Sequence, residues 1–192
     1  MTREGLFLRM SQAKQIVLEA DELGKIITRM AHEIIEKTAD PRELALIGIR
    51  SRGVHLAHRI SRKVEEIAKI SAPIGALDVG PYRDDRAQDR TPWSPIGDET
   101  PAAVDEKTVI LIDDVIFRGR TIRAAMEALA RLGQPKRILV AVLADRGARE
   151  LPIRADIVGK NIEAGEGERV NVMLAESDGI DQITVGPWPA QR

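Results

Sequence analysis

Two adjacent carboxylates, Asp113 and Asp114, follow an apolar segment at residues 109–112, and Gly-Arg-Thr stands at residues 119–121. Carboxylate oxygens accept hydrogen bonds, so an acidic pair can hold the two hydroxyls of a ribose. The start of a helix offers unpaired N–H groups and a positive dipole end to a phosphate. This order of residues favours a ribose 5-phosphate site over the alternative, in which the acidic pair is a turn and a helix cap.

If the ligand is a phosphorylated ribose with a leaving group, each part of this segment has its own role. Asp113 and Asp114 would hold the 2- and 3-hydroxyls. Thr121 and the N–H groups of Gly119 and Arg120 would hold the 5-phosphate, because glycine lets the backbone approach closely. Cleavage at C1 places positive charge on the sugar and negative charge on the leaving diphosphate. Carboxylates near the ribose, with cations and Mg²⁺ on the leaving group, stabilise that separation of charge.

Two further loops carry residues that suit the same ligand. Arg52, flanked by Ser51 and Gly53, would bind a second anionic group such as a pyrophosphate. Arg146 would face a carbonyl group of an incoming base. Both loops follow predicted strands, and the carboxyl ends of parallel strands meet at one edge of a sheet. We therefore expect the three loops to converge.

The hydrophobic periodicity predicts strands alternating with helices, and therefore an α/β fold with a parallel sheet. Strands are predicted at residues 44–49, 74–79, 108–112, 138–144, 157–162 and 170–174, and helices at 21–37, 54–70 and 121–132. Residues 1–17 are expected to form a short arm or strand. Residues 80–105 are rich in proline and charge, and we expect a flexible lid there.

The composition of the chain limits the classes of function. Its 192 residues are 43% hydrophobic and 31% charged, which predicts one globular domain over residues 1–192. Aromatic residues are only 3% and cysteine is absent, which excludes base stacking as a major binding mode, disulfides and zinc–thiolate sites. The net charge of −1 does not indicate a nucleic-acid binder but leaves room for a local arginine cluster. Without membrane-spanning or signal-peptide patterns, a cytoplasmic protein is expected.

With these residues in place, the segment at 109–121 resembles the phosphoribosyl-pyrophosphate (PRPP) motif of type I phosphoribosyltransferases. Motifs along almost the whole chain resemble one family in particular, the PyrR family of bifunctional pyrimidine-operon regulators and uracil phosphoribosyltransferases. These motifs lie at residues 28–35, 48–53, 82–85, 145–156 and 158–161. The last two stretches are specific to that family.

The resemblance implies the type I phosphoribosyltransferase fold, with a mainly parallel central sheet flanked by helices, a mobile loop and a small hood. It implies synthesis of UMP and diphosphate from uracil and PRPP, with Mg²⁺ held through PRPP and water rather than by direct protein ligands. It also implies binding to a pyrimidine-operon mRNA leader in the presence of UMP or UTP, and assembly as a homodimer or homotetramer.

The resemblance also assigns roles to individual residues. The catalytic set is Arg52, Asp113 and Asp114. The residues that contact PRPP or UMP are Ser51, Arg52, Gly53, Asp113, Asp114, Val115, Ile116, Phe117, Arg118, Gly119, Arg120 and Thr121. The residues that contact the base are Arg146, Ile157 and Val158, and the lid residues are Tyr82, Arg83, Asp84 and Asp85. The residues that contact RNA are Thr28, Arg29, His32, Arg149 and Arg154.

The chain departs from the family pattern at Arg118, where the family has a threonine whose hydroxyl would hold the 5-phosphate. A long cation there would either fold back onto the phosphate or swing away from it. Three functions therefore stay open. They are a uracil phosphoribosyltransferase, an RNA-binding regulator with weak or no enzyme activity, and a transferase for another base such as a purine, which the residues at 145–147 disfavour.

Overall fold

Strands and helices alternate along the chain, and the computed structural model describes residues 14–80 and 104–188. The strands are β1 (Gln15–Glu19), β2 (Leu44–Ile49), β3 (Ile74–Leu77), β4 (Thr108–Ile116), β5 (Arg137–Asp145), β6 (Ile157–Asn161), β7 (Glu168–Met173) and β8 (Gln182–Pro187). The helices are α1 (Ala20–Lys37), α2 (Arg52–Ala68), α3 (Arg120–Leu129) and the single turn α4 (Ala175–Asp178), with a 3-10 turn at Pro41–Glu43. Most of the predicted lid, including Tyr82, Arg83, Asp84 and Asp85, lies outside the described residues.

Two sheets organise these elements. Five strands form a parallel sheet in the order β3-β2-β4-β5-β6. Three strands form a separate antiparallel sheet in the order β1-β8-β7, and we call this sheet, together with the connection at residues 174–181 that contains α4, the hood. The predicted fold, a parallel central sheet flanked by helices with a small hood, is confirmed.

The central sheet is covered on both faces, so the middle parts of its strands are runs of apolar residues, and β2 is buried along its whole length. Ile110 and Ile112 of β4 pack in the cluster that includes α1, α2 and the inner face of the hood. Val109 and Leu111 alternate with them and pack against α3. None of the helices within residues 14–80 and 104–188 is both long and apolar enough to cross a bilayer.

Several boundaries differ from the prediction, and the largest difference concerns β4. This strand was predicted to end at residue 112, but it continues to Ile116 because β5 runs beside it that far, with Asp113 opposite Val142 and Ile116 opposite Asp145. The acidic pair therefore lies within the end of the strand rather than in the following loop. Helix α2 begins at Arg52, two residues earlier than predicted, and β8 and α4 were not predicted at all.

Candidate active site

The three predicted loops meet at the carboxyl edge of the parallel sheet. The backbone N–H of Arg146 donates to the carbonyl of Ile116 at 3.0 Å, and the guanidinium of Arg146 lies 3.9 Å from the ring centroid of Phe117. On the other side, the backbone of Gly53 lies against β4 at Ile112. The predicted convergence is confirmed.

Two glycines allow the start of α2 to approach the strands. A Cβ atom on Gly53 would lie 2.4 Å from the carbonyl oxygen of Ile112, and one on Gly48 would lie 2.5 Å from the Cα of Val54. Real Cβ atoms do not come so close to backbone, so no other residue fits without displacement. Gly53 therefore has a packing role in addition to the anion-binding role that we predict for its loop. In the same loop, the peptide bond between Arg50 and Ser51 is cis.

The acidic pair is fixed by its own backbone. The Asp113 carboxylate accepts the N–H of Asp114 at 3.0 Å, and the Asp114 carboxylate accepts the N–H of Val115 at 2.8 Å. The side chains of Ile112 and Val115 pack in the same cluster although the two residues are three positions apart. The regular alternation of side chains between the two faces of β4 therefore shifts by one residue at the acidic pair. Both carboxylates are thereby held at the sheet edge.

Asp114 is held in an environment that opposes its charge. Burial raises the pKa of Asp114 above its ordinary value, while the Val115 N–H and the charge of Arg52 act in the opposite direction. Asp113 is 6% exposed. Within the described ranges, no group of three or more His, Cys, Asp or Glu side chains is placed to hold a metal ion.

The start of α3 is the place where a phosphate site is predicted. Gly119 precedes the helix with a φ of 92°, a left-handed conformation that glycine adopts without strain. The first backbone bond of this helix runs from the N–H of Arg123 to Gly119 at 3.0 Å, and no side chain in the described part of the protein caps the helix. The N–H groups of Arg120, Thr121 and Ile122 thus stand without an acceptor within the helix.

Arg118 swings toward the turn at residues 147–151 rather than standing alone. Its Nε lies 3.1 Å from Glu150, and its guanidinium lies 5.1 Å from the ring centroid of Phe117. Arg120 pairs with the same carboxylate at 2.7 Å. Glu150 thus bridges both arginines beside the start of α3.

Two arginines of α2 pair with carboxylates of the hood, which sequence reasoning missed. Arg52 makes a bidentate contact with Asp178, at 2.8 Å from Nη2 to Oδ1 and 3.2 Å from Nε to Oδ2. Arg59 donates to Glu176 and to Asp181, each at 2.8 Å. The signal in the sequence is the cluster of three acidic residues at 176–181, which no predicted element contained. These pairs tie the hood to the loop that carries Arg52.

The residues predicted to contact the base lie at different depths. The Arg146 guanidinium covers Phe117 and donates to the carbonyl of Glu168 at 2.9 Å. The Ile157 side chain is fully buried in the core, so it cannot itself line an open cleft, and Val158 is half-buried. Ile116, predicted to contact PRPP, is likewise buried. For Ile157 and Ile116 the structure leaves only a contact through the backbone.

The predicted RNA residues divide into two groups. His32 and Arg154 are exposed, and neither has a side-chain partner among the described residues. Arg149 is instead turned inward with its side chain 17% exposed, donating to Phe117 at 2.7 Å and to Asp145 at 2.6 Å. The remaining two lie on α1: Arg29 donates to the carbonyls of Val158 and Gly159, and the Thr28 hydroxyl donates to Gly24. The structure thus gives Arg149 a role in holding its turn.

Comparisons with known proteins agree with this geometry. The family model of the phosphoribosyl transferase domain matches residues 15–172. The bifunctional protein PyrR of Chloroflexus aurantiacus is 49% identical over 177 residues, which cover 92% of this chain and 96% of that protein. Its counterpart in Roseiflexus sp. is 50% identical over 172 residues, covering 88% and 93%.

Solved structures give the same fold. The hypoxanthine phosphoribosyltransferase of Staphylococcus aureus aligns with a TM-score of 0.68 over 95% of this chain and 96% of that chain, at 17% identity. The enzyme of Trypanosoma cruzi aligns with a TM-score of 0.66 over 91% and 97%, at 16% identity. Such low identity shows the fold alone, whereas the relatives near 50% identity show the family. The chain belongs to the PyrR family of phosphoribosyltransferases.

Proposed function

We propose that the protein transfers the phosphoribosyl group of PRPP to uracil, giving UMP and diphosphate, and that it works in the cytoplasm as a single-domain subunit of a homodimer or homotetramer. The observation that supports this most is the meeting of the acidic pair, the uncapped start of α3 and the loop of Arg52 at one sheet edge. These are the groups that a ribose, its 5-phosphate and a diphosphate need.

In this reaction the bond from C1 of the ribose to the diphosphate oxygen breaks, and N1 of uracil bonds to C1 and loses its proton. Asp113 and Asp114 hold the ribose hydroxyls, and their negative charge stabilises the positive charge that develops on the sugar. The start of α3 holds the 5-phosphate, and Arg52 binds the departing diphosphate. Mg²⁺ held by PRPP and water would supply positive charge at the leaving diphosphate.

The first prediction concerns Arg118. Arg118→Thr is expected to raise kcat/KM for PRPP about tenfold, because a hydroxyl at this position adds one hydrogen bond to the charged phosphate. The free energy of unfolding should stay within about 0.5 kcal/mol of wild type, because the pair with Glu150 is largely exposed. The measurement is UMP formation from labelled uracil, PRPP and Mg²⁺ by both proteins.

The same assay separates the alternatives. Wild type that makes no UMP above a heat-killed control would contradict the proposed enzyme, and a large gain in Arg118→Thr would then favour a regulator whose activity has declined. Equal rates in both proteins would mean that Arg118 serves the phosphate as well as a threonine. Competition by hypoxanthine and guanine tests the purine alternative, and inhibition stronger than that by unlabelled uracil would contradict uracil as the substrate.

The second prediction concerns RNA, which we propose binds across α1 and the turn before β6 when UMP or UTP is present. His32 and Arg154 support this, because both are exposed without side-chain partners in the described residues. Arg154→Ala is expected to weaken binding to the pyrimidine-operon mRNA leader and to lower the slope of log affinity against log salt by about one. Gel shifts with and without UMP, at several salt concentrations, measure both quantities.

Arg62→Ala provides the control for this experiment. Arg62 is also an exposed arginine, but it lies on α2, which packs over β2, β4 and β3, whereas α1 packs mainly over β6. We expect Arg62→Ala to leave RNA affinity and its salt dependence unchanged. Binding that UMP does not strengthen, or that both variants weaken equally, would contradict the proposed RNA face.

A further inference from the structure

The arginine expected to bind diphosphate is already held by a carboxylate of the hood. The Nε and one Nη2 hydrogen of Arg52 are used by Asp178. The Arg52 side chain is 29% exposed and that of Asp178 is 23% exposed, so the pair is partly shielded from water. A bidentate contact of this kind fixes the plane of the guanidinium as well as its position.

Asp178 is itself rigidly placed. Its Oδ2 also accepts the N–H of Leu174 at 3.0 Å and the hydroxyl of Ser177 at 2.8 Å. These contacts, with the hydrogen bond from Arg52 as the largest cause, hold the pKa of Asp178 well below its ordinary value. The carboxylate is therefore ionised at every pH at which such an enzyme is assayed, and its orientation is set by the hood rather than by the arginine.

The other half of the Arg52 fork remains available. Among the described residues, no partner is recorded for its Nη1 group. Arg52 also lies close to the acidic pair, because a Cβ atom on the adjacent Gly53 would lie only 3.4 Å from the Cα of Asp113. If the acidic pair holds the ribose as proposed, Arg52 thus lies close to the sugar that carries the diphosphate.

We propose that Asp178 is a positioning residue that holds Arg52 by Nε and Nη2, so that the Nη1 group is presented to the diphosphate of PRPP. The inference rests on the proposed function and deepens it, because it makes the hood part of the diphosphate site. The opposite possibility is that Asp178 competes with diphosphate for Arg52 and must be displaced. The two possibilities predict opposite changes in diphosphate affinity when the Asp178 carboxylate is removed. Loss of a positioning carboxylate weakens diphosphate binding, whereas loss of a competitor strengthens it.

The hood offers a matched control for Asp178. Asp181 also joins the hood to α2, accepts a backbone N–H, here from Ala175 at 2.8 Å, and has a pKa that an arginine lowers. Its partner, however, is Arg59 rather than Arg52. Asp178→Asn and Asp181→Asn therefore each remove one carboxylate charge from the same short segment, and only the first changes the surroundings of Arg52.

The experiment compares steady-state kinetics of wild type and both variants with PRPP, uracil and Mg²⁺. Asp178→Asn is expected to raise KM for PRPP about tenfold with kcat changed less than threefold, while Asp181→Asn changes KM for PRPP less than twofold. The KM for uracil should change in neither. Equal effects of the two variants would indicate a merely structural hood and overturn the proposal, as would a lower KM for PRPP in Asp178→Asn.

A second measurement keeps the proposal testable without turnover. Isothermal titration of each folded variant with inorganic diphosphate and Mg²⁺ is expected to show about tenfold weaker binding in Asp178→Asn and unchanged binding in Asp181→Asn. In an Arg52→Ala background, Asp178→Asn should have no further effect, and a full further loss would overturn the proposal. Failure of wild type to form UMP contradicts the proposed function alone, because the titration still tests whether Asp178 positions Arg52.

Discussion

Replacing Asp113 and Asp114 together by asparagine is expected to lower kcat/KM for PRPP by about a hundredfold to ten-thousandfold. Each carboxylate is proposed to accept a hydrogen bond from a ribose hydroxyl, and a hydrogen bond to a charged group contributes about 1.5–3 kcal/mol. The loss should exceed that for a simple change in binding, because the same charges stabilise the sugar cation in the transition state. The uracil assay with varied PRPP measures it.

The stability of Asp114→Asn is expected to change in the opposite direction from its activity. Burial raises the folded pKa of Asp114 above its ordinary value of 3.8, so between those two values the folded protein binds more protons than the unfolded chain. The free energy of unfolding contributed by this group therefore falls as pH rises through that window. Asparagine carries no charge, so we expect the variant to gain stability relative to wild type as pH rises.

Urea unfolding of wild type and Asp114→Asn at several pH values above 4 tests this sign. Ser51→Ala serves as the control, because Ser51 is exposed and caps α2 with no side-chain hydrogen bond. A variant that loses stability relative to wild type as pH rises would show that Arg52 and the Val115 N–H outweigh burial. Wild-type kcat/KM in the double asparagine variant would contradict the assignment of the acidic pair to ribose.

Gly53→Ala is expected to lower the free energy of unfolding by about 1–3 kcal/mol, the range found for overpacked sites. The new Cβ would lie 2.4 Å from the Ile112 carbonyl oxygen, and backbone cannot move aside as a side-chain tip can. The start of α2 must then shift away from β4, which carries Arg52 with it. We therefore also expect KM for PRPP to rise about tenfold or more, since small displacements of positioning groups cost large factors in rate.

Gly24→Ala is the matched change that should stabilise the protein. Gly24 lies within α1 and has no atom within 4 Å of the position that a Cβ would take. Alanine in a helix is favoured over glycine by about 1 kcal/mol, so the variant should unfold at higher urea concentration with unchanged kinetics. If Gly53→Ala were as stable as wild type with an unchanged KM, the close approach of α2 to β4 would not matter for the site.

The parts of the molecule that could be predicted from sequence are those with local signals. The apolar run before Asp113 predicts the strand that contains it, and the glycine before Arg120 marks the start of the following helix. The strand, the acidic pair and the helix start were therefore recognisable from nearby residues alone. The end of β4 was not, because it depends on how far β5 continues beside it. Nor was the pairing of Arg118 with Glu150, because Glu150 lies in another loop.

The hood depends even more on contacts between residues that are far apart in the sequence. Its strands β1 and β8 pair with each other from opposite ends of the described chain. Arg52 and Asp178 are 126 positions apart in the sequence. Neither contact leaves a periodic pattern, since an isolated arginine in a loop and an aspartate in an acidic stretch are ordinary surface residues. Only the folded chain shows that the two side chains form an ion pair.

The pairing of β1 with β8 also determines the order in which the protein becomes competent during synthesis. The five strands of the parallel sheet end at Asn161, so that sheet can assemble while the last strand of the hood is still in the ribosome. Until then, the edge of β1 that pairs with β8 stays unpaired, and Arg52 lacks its partner Asp178. We expect a chain that stalls before β8 to hold a formed core with an incomplete diphosphate site. We therefore expect such truncated chains to be inactive and prone to pair with one another through that open edge.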